Sequence, residues 1–329
     1  MPVAGLDAVC LGETMALLAP ERGTPLRRAE TMHLAHGGAE SNVAVSLARL
    51  GDAVAWCSRL GTDPLGDRIV ADLSAAGVDT SRAIRVDGAP TGLYLKDPGP
   101  DGTTVWYYRA GSAASTMDRT DVDRAGAGAP RVLHLSGITP ALSASCADAV
   151  SYALAEGARS GPALSGKTVT TSFDVNYRPA LWPSASAAAT ALLDLARCAE
   201  IVFVGLDEAQ VLWRTSTAEQ VRALMPQPTW LVVKDGAVRA SAFGPAAAVH
   251  VGAPTVDVVE AVGAGDAFAA GWLHGWLHAL SPAASLHLGH LVAGIALSSP
   301  TDHGAFPADP DELVRRAVAL AAVDDTVLR

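Results

Sequence analysis

Short apolar, β-branched runs alternate with longer Ala/Leu-rich stretches through most of this chain, and that rhythm leaves few folds open. Residues 7–13, 53–60, 131–137, 168–175, 201–206 and 229–236 read as strands, with residues 39–50, 67–77, 145–158 and 185–198 as helices between them. A strand apolar at successive positions is covered on both faces, and a helix after each strand brings the next one in parallel. The expectation is a three-layer αβα fold around a mostly parallel central sheet. After Glu260 the pattern reads as three more helices.

Two stretches break the rhythm. Residues 14–36 are polar and punctuated by Pro, Gly and Arg, and residues 91–110 hold two strand-like runs around a Pro-Gly-Pro-Asp-Gly turn. Both are expected to form a small β-sheet lid over one edge of the main sheet, inside a single domain spanning 1–329; an ordinary surface hairpin is the alternative. With 329 residues, half of them hydrophobic, the chain has enough apolar material for one large core plus such an appendage. Tyr94, Trp106 and Tyr108 give the appendage an apolar face too large for it to bury alone, which predicts a homodimer or higher homo-oligomer through the lid.

Twenty-four basic against 34 acidic residues give a net charge of −10, which repels nucleic acid and anionic lipid but not a small phosphate held by local groups. Cys10, Cys57, Cys146 and Cys198 are scattered, with no CxxC pair, which argues against a disulfide framework and for a reducing cytoplasm. The first 13 residues lack the basic and apolar regions of a secretion signal. The most apolar helical stretch is short and carries His274 and His278, so it reads as a buried helix rather than a membrane span.

The sharpest local signal is Gly263-Ala264-Gly265 ahead of a strong helical pattern that starts near Asp266. Small residues at a helix N-terminus let backbone amides converge on an anion, and the helix dipole adds about half a positive charge there. A phosphoryl group in transit needs such fixed donors, and a carboxylate beside them is placed to take a proton from an incoming hydroxyl. The competing reading is a Gly-rich turn with Asp266 as a helix cap. The chain has no GxxxxGK[ST] loop, and Phe268 stands where a dinucleotide fingerprint needs its third glycine.

Near the other end, Gly37-Gly38 precedes a helix that carries Asn42, whose amide offers both donor and acceptor to a polyol. The spacing of Gly37, Gly38, Asn42, Ala44, Gly51 and Gly61 resembles the N-terminal signature of the ribokinase/PfkB family of carbohydrate kinases. The GAGD segment is similar to that family's C-terminal signature, so the resemblance covers essentially the whole chain. It implies a ribokinase-like fold, ATP and Mg²⁺ as cofactors, and Asp266 as catalytic base beside the amides of Gly263, Ala264 and Gly265.

Residues 107–115 and 173–182 look like the substrate segments of 2-keto-3-deoxygluconate kinases within that family. The resemblance implies that Tyr94, Tyr107, Arg109 and Arg178 contact a sugar acid, with Gly38 and Asn42 reading its hydroxyls. Arginine suits a carboxylate because its planar charge binds bidentately. Cross-strand packing of the tyrosines and structural ion pairs of the arginines stay open.

On the nucleotide side the resemblance assigns Glu208 to water-mediated contact with Mg²⁺, and Lys234 and Gly236 to the ATP pocket, where a solvated turn between strands is the other reading. Two departures stand out: Gly205 replaces the family's Asn, and Glu260-Ala261 replaces an Asp-Thr whose Asp helps shape a monovalent-cation site, so K⁺ dependence stays open. These departures leave a kinase of a neutral sugar, or a sugar- or nucleotide-binding sensor without catalysis, as alternatives. His274 and His278 have a spacing that can bind zinc, yet no third ligand is evident nearby, so they read as packing or surface residues, as do His287 and His290.

Overall fold

The computed structural model describes residues 5–21, 23–99, 102–155, 169–299 and 304–327. Nine strands form the main sheet: β1 (Ala8–Leu11), β4 (Val54–Gly61), β5 (Asp79–Val86), β8 (Val132–Ser136), β9 (Thr170–Asp174), β10 (Ile201–Gly205), β11 (Trp230–Asp235), β12 (Arg239–Phe243) and β13 (Val249–Gly252), in the order β13-β12-β11-β10-β9-β8-β1-β4-β5. The seven strands from β11 to β5 run parallel, and β12 and β13 add an antiparallel edge.

Alternate strand residues feed two cores. Val9, Leu11, Leu133, Leu135, Val202, Val204, Leu231 and Val233 face one layer, while Ala8, Cys10, Val132, Ile201, Phe203 and Val232 face the other. The first core is closed by α3 (Arg119–Gly126), α4 (Ala144–Leu154), α5 (Ala185–Cys198), α6 (Leu206–Trp213) and α7 (Ala218–Leu224). The second is closed by α1 (Ala39–Arg49), α2 (Pro64–Ala75), α8 (Ala264–Leu277) and α9 (Pro282–Leu297), with α10 (Asp311–Val327) packed outside α9. This is the αβα architecture expected from the alternation.

All six expected strands and four expected helices form, and the three C-terminal helices follow Glu260. The helix expected over 67–77 starts three residues earlier: Pro64 takes the first helical position and Asp63 caps it, accepting from the Gly66 amide at 2.9 Å. Residues 156–158 of the helix expected over 145–158 lie outside the described residues, as does residue 168 of the strand expected over 168–175. No helix among the described residues is long and apolar enough to cross a membrane.

The segments that broke the rhythm pair with each other. β2 (Met15–Pro20), β3 (Met32–Gly37), β6 (Leu93–Gly99) and β7 (Gly102–Tyr108) form a second sheet in the order β3-β2-β6-β7, with β2 and β6 parallel and the outer pairs antiparallel. Pro100 and Asp101, in the expected turn, lie outside the described residues. Met15, Leu17 and Tyr94 make a small core of their own. Trp106 and Tyr108, on edge strand β7, stay 50% and 60% exposed.

Candidate active site

Open α/β sheets bind ligands beyond the carboxyl ends of their parallel strands, because the helix N-termini and loops converge there. Here the chain leaves β1 at Gly12-Glu13, β9 at Asp174, β10 at Gly205 and β11 at Asp235, and Glu13, Asp174, Gly205 and Lys234 line one cleft of about 900 Å³. The second sheet contributes Met15, Gly37, Tyr94, Lys96, Val105 and Tyr107 to its wall. The residues expected from sequence to bind or act on ligands line this cleft: Gly37, Gly38, Asn42, Tyr94, Tyr107, Arg109, Arg178, Glu208, Lys234, Gly236, Gly263, Ala264, Gly265 and Asp266.

Helix α8 starts with Gly263 as its cap, at φ +83°, a left-handed conformation that costs glycine nothing. This turn lines the cleft; the first amides of the helix have no intrahelical acceptor, although that of Ala264 makes a long contact, 3.4 Å, to the Ala261 carbonyl. Asp266, one turn in, is 7% exposed. Its Oδ2 accepts from Asn42 Nδ2 at 2.9 Å and its Oδ1 from Asn176 Nδ2 at 3.2 Å. With both amide groups turned this way, Asn42 Oδ1 and Asn176 Oδ1 are buried acceptors lacking a protein partner in a cleft wall, which suits hydroxyl donors. Burial pushes the Asp266 carboxyl up to about 7, the Asp174 charge adds to the rise, and the Asn42 bond and the Arg178 and Lys234 charges oppose it.

Asn176 lies within the 173–182 segment but carries no sequence signal of its own. It sits at φ +38°, a region asparagine tolerates better than most residues, and a positive φ just after a strand carboxyl end is a signature of site geometry. Asp174, in the same segment, ends β9 and accepts from Lys234 Nζ at 2.7 Å. Lys234 is therefore no solvated turn residue. Burial alone would lower its pKa, but Asp174, Glu208 and Asp266 outweigh that and raise it, keeping the ammonium charged. A Cβ on Gly265 would lie 3.4 Å from that ammonium, which puts the lysine beside the amide turn. Gly236 lies in the exposed turn that follows β11.

Glu208 holds backbone: Oε2 accepts from the amide of Gly205, the N-cap of α6, at 2.8 Å, and Oε1 accepts from the Tyr177 amide at 2.9 Å. Burial, then the Asp174 charge, raises its pKa. A Cβ at position 205 would press on the Asp207 and Glu208 carboxyls, so the bare glycine matches this packing. Asp174, Asp207 and Glu208 all line the cleft, and carboxylate oxygens are the donors that Mg²⁺ and its waters take.

The two arginines differ. Arg109 is ion-paired with Glu13, a carboxylate only 2% exposed that also accepts from Ser112 Oγ at 2.6 Å, and its guanidinium lies 5.7 Å from the Tyr107 ring. Its Nε remains buried without a protein partner. Arg178 is exposed, donates to the Tyr177 carbonyl at 3.3 Å, and has no ion pair among the described residues. Tyr94 and Tyr107 face each other across β6 and β7 with ring centroids 5.8 Å apart, so the cross-strand packing left open from sequence is present alongside their place in the cleft.

One contact had no signal in the sequence. Lys96, 6% exposed on β6 of the second sheet, reaches Glu260 Oε2 at 3.2 Å, while Glu260 Oε1 accepts from the amides of Ala261 and Val262 at 3.0 and 3.3 Å. Burial would raise the Glu260 carboxyl; Lys96 and the two amides override it and lower it. His287 pairs with Asp324 at 2.8 Å, as a structural residue does; His290 stands edge-on to Phe268 at 5.2 Å and also lines the cleft, with its Nε2 buried without a protein partner.

Comparison with known proteins agrees with this geometry. The family model described as pfkB family carbohydrate kinase matches residues 6–323. The 2-dehydro-3-deoxygluconokinase of Bacillus subtilis (strain 168) is 37% identical over 92% of this chain and 93% of its own. That of Thermoproteus tenax is 32% identical over 95% of both chains. A sugar kinase of Pyrococcus horikoshii, solved in complex with ATP, has the same fold at a TM-score of 0.78 and 21% identity, covering 94% of this chain and 99% of that one. An Asp266 carboxylate at a glycine-led helix start, an Asn42 that reaches it from the opposite end of the sequence, and a match over nearly every residue lead to one assignment: the chain belongs to the pfkB family of carbohydrate kinases.

Proposed function

We propose that this carbohydrate kinase transfers the γ-phosphoryl group of ATP to the primary hydroxyl of 2-keto-3-deoxygluconate, giving its 6-phosphate. The observation that carries the reading is the Asp266 carboxylate, fixed by Asn42 and Asn176 at the cleft and held near neutrality by burial. Asp266 accepts the hydroxyl proton as that oxygen bonds to the γ-phosphorus and the bond to the departing ADP oxygen breaks. The amides of Gly263, Ala264 and Gly265 and the Lys234 ammonium offset charge on the transferring group. Mg²⁺, when bound, neutralises phosphate charge; Asp174, Asp207 and Glu208 are the residues that would hold it, Glu208 through water.

The nucleotide is assigned to the half of the cleft walled by Gly236, Pro254, Val256, Ala293 and Leu297, whose apolar surface suits a base. The sugar acid is assigned to the half under the second sheet, which acts as a lid, with Gly37 and Gly38 letting the backbone come close. A Cβ on Gly38 would run into the Glu13 carbonyl. Arg178 is the residue assigned to the carboxylate, because Glu13 already neutralises Arg109. K⁺ has no part in this reading, since Glu260 engages Lys96 and two backbone amides. The exposed Trp106 and Tyr108 of edge strand β7 support pairing with a second copy through the lid; a monomer in light scattering at working concentration removes that element.

An ADP-release assay over a sugar panel tests the reading. Ketodeoxygluconate should give a far higher kcat/KM than fructose or ribose. Preference for a neutral sugar reassigns the substrate, and no ADP release with any sugar leaves a binding protein without catalysis.

A further inference from the structure

His274 and His278 have no third donor near them in the sequence; the fold brings one from 222 residues away. Asp52, in the turn after α1, lies between the two imidazoles. Its Oδ2 is 2.8 Å from His274 Nδ1 and its Oδ1 is 2.8 Å from His278 Nε2. One donor atom from each side chain lies within 4.8 Å of the others. The Asp52 side chain is fully buried and His274 nearly so, while His278 is 49% exposed. Among the described residues no lysine or arginine pairs with Asp52. A buried carboxylate with its full charge is costly unless a cation meets it.

We propose that Asp52, His274 and His278 form a binding site for a divalent transition-metal ion, Zn²⁺ foremost, separate from the cleft. His274 lies eight residues along α8 from Asp266, about 12 Å of helix rise. Imidazole and carboxylate donors bond Zn²⁺ at about 2.0–2.2 Å, which sets tetrahedral donors roughly 3.4 Å apart. The 2.8 Å contacts therefore open by about half an ångström as the ion enters. Each neutral imidazole moves its N–H to the ring nitrogen facing away and offers a lone pair. The exposure of His278 leaves the fourth position to water.

This donor set favours Zn²⁺, Ni²⁺ or Cu²⁺ over Mg²⁺, so the Mg²⁺ that accompanies ATP does not fill it. An ion here joins the distal end of α8 to the turn that ends α1. Asn42 and Asp266 already join the same two helices at the cleft.

Equilibrium dialysis of tag-free, full-length protein against Zn²⁺ with excess Mg²⁺ tests the site. Metal content should fall by one ion per chain in His278→Ala and in Asp52→Asn, and stay unchanged in Cys198→Ser, which removes the exposed thiol. Co²⁺ in place of Zn²⁺ should give visible bands of a low-coordinate site that the His278→Ala variant lacks. At a hundredfold excess over its Kd, Zn²⁺ should raise the wild-type melting temperature by about 4 °C, an effect absent in His278→Ala. His278 is half-exposed, so its variant folds even if Asp52→Asn does not. Failure of the wild type to retain Zn²⁺, or equal retention by His278→Ala, overturns the proposal and leaves Asp52 as a hydrogen-bonded clip.

Discussion

Asn42 and Asp266 stand 224 residues apart in the chain and 2.9 Å apart in the fold, amide nitrogen to carboxylate oxygen. The bond favours the ionised carboxylate, against the burial that pushes the group up to about 7. A base must be deprotonated to act, so kcat should rise with pH through about 7. Asn42→Ala removes a donor to the charged form, raises the Asp266 pKa, and should move that limb to higher pH. A profile whose acid limb stays in place in Asn42→Ala would falsify the role of this contact.

Replacing Asp266 by Asn should lower kcat by roughly a hundred- to ten-thousand-fold while the fold and sugar binding persist. Stability should move the opposite way. The native state keeps a proton on Asp266 up to about pH 7, whereas the unfolded chain gives it up near 4, so this group's contribution to stability falls as pH rises between those values. The variant has no such loss. The difference in melting temperature, variant minus wild type, should therefore grow from pH 5 to pH 8, as calorimetry reads directly.

Sequence periodicity exposed the frame because the central strands are buried on both faces: Val202-Phe203-Val204 is apolar whichever way it points. β5 escaped because this edge strand carries Asp79, Thr80, Ser81, Arg82 and Arg85, has no apolar run and resembles a loop. Asn42 and Asp266 were each legible because each sits in a contiguous glycine-bearing motif, whereas the bond between them is tertiary and was not. Asn176 and Asp174 lay inside a segment already singled out, but what defines their roles is tertiary: a left-handed backbone and a lysine 60 residues away. Asp52 and Lys96 carried no local signal, since each acquires its meaning from partners more than 160 residues distant.

The arginines should separate by assay. Among the described residues Arg178 has no ion pair to lose, so Arg178→Ala should leave the melting temperature nearly unchanged. It should raise KM for the sugar acid by roughly 10- to 100-fold, the worth of one charge-assisted hydrogen bond, and affect a neutral sugar much less. Arg109→Ala leaves Glu13 buried and unpaired, a loss of about 3–5 kcal/mol, so its effect should appear first as a lower melting temperature. If Arg109→Ala is fully stable and only KM changes, the two assignments exchange.

Lys96 and Glu260 connect the second sheet to the turn that leads into α8, and their two functions can be told apart. Lys96 neutralises Glu260, while Glu260 Oε1 fixes the amides of Ala261 and Val262, just ahead of Gly263. Lys96→Met alone strands a partly buried carboxylate and should destabilise. Pairing it with Glu260→Gln removes the charge but keeps an oxygen for both amides, so stability and turnover should return together. Pairing it with Glu260→Leu also removes the charge but frees the turn. That double variant should be stable yet about tenfold slower, the barrier equivalent of one lost hydrogen bond. Equal turnover in the two double variants would show that the turn before Gly263 holds its shape without Glu260, and that the contact serves only to anchor the sheet.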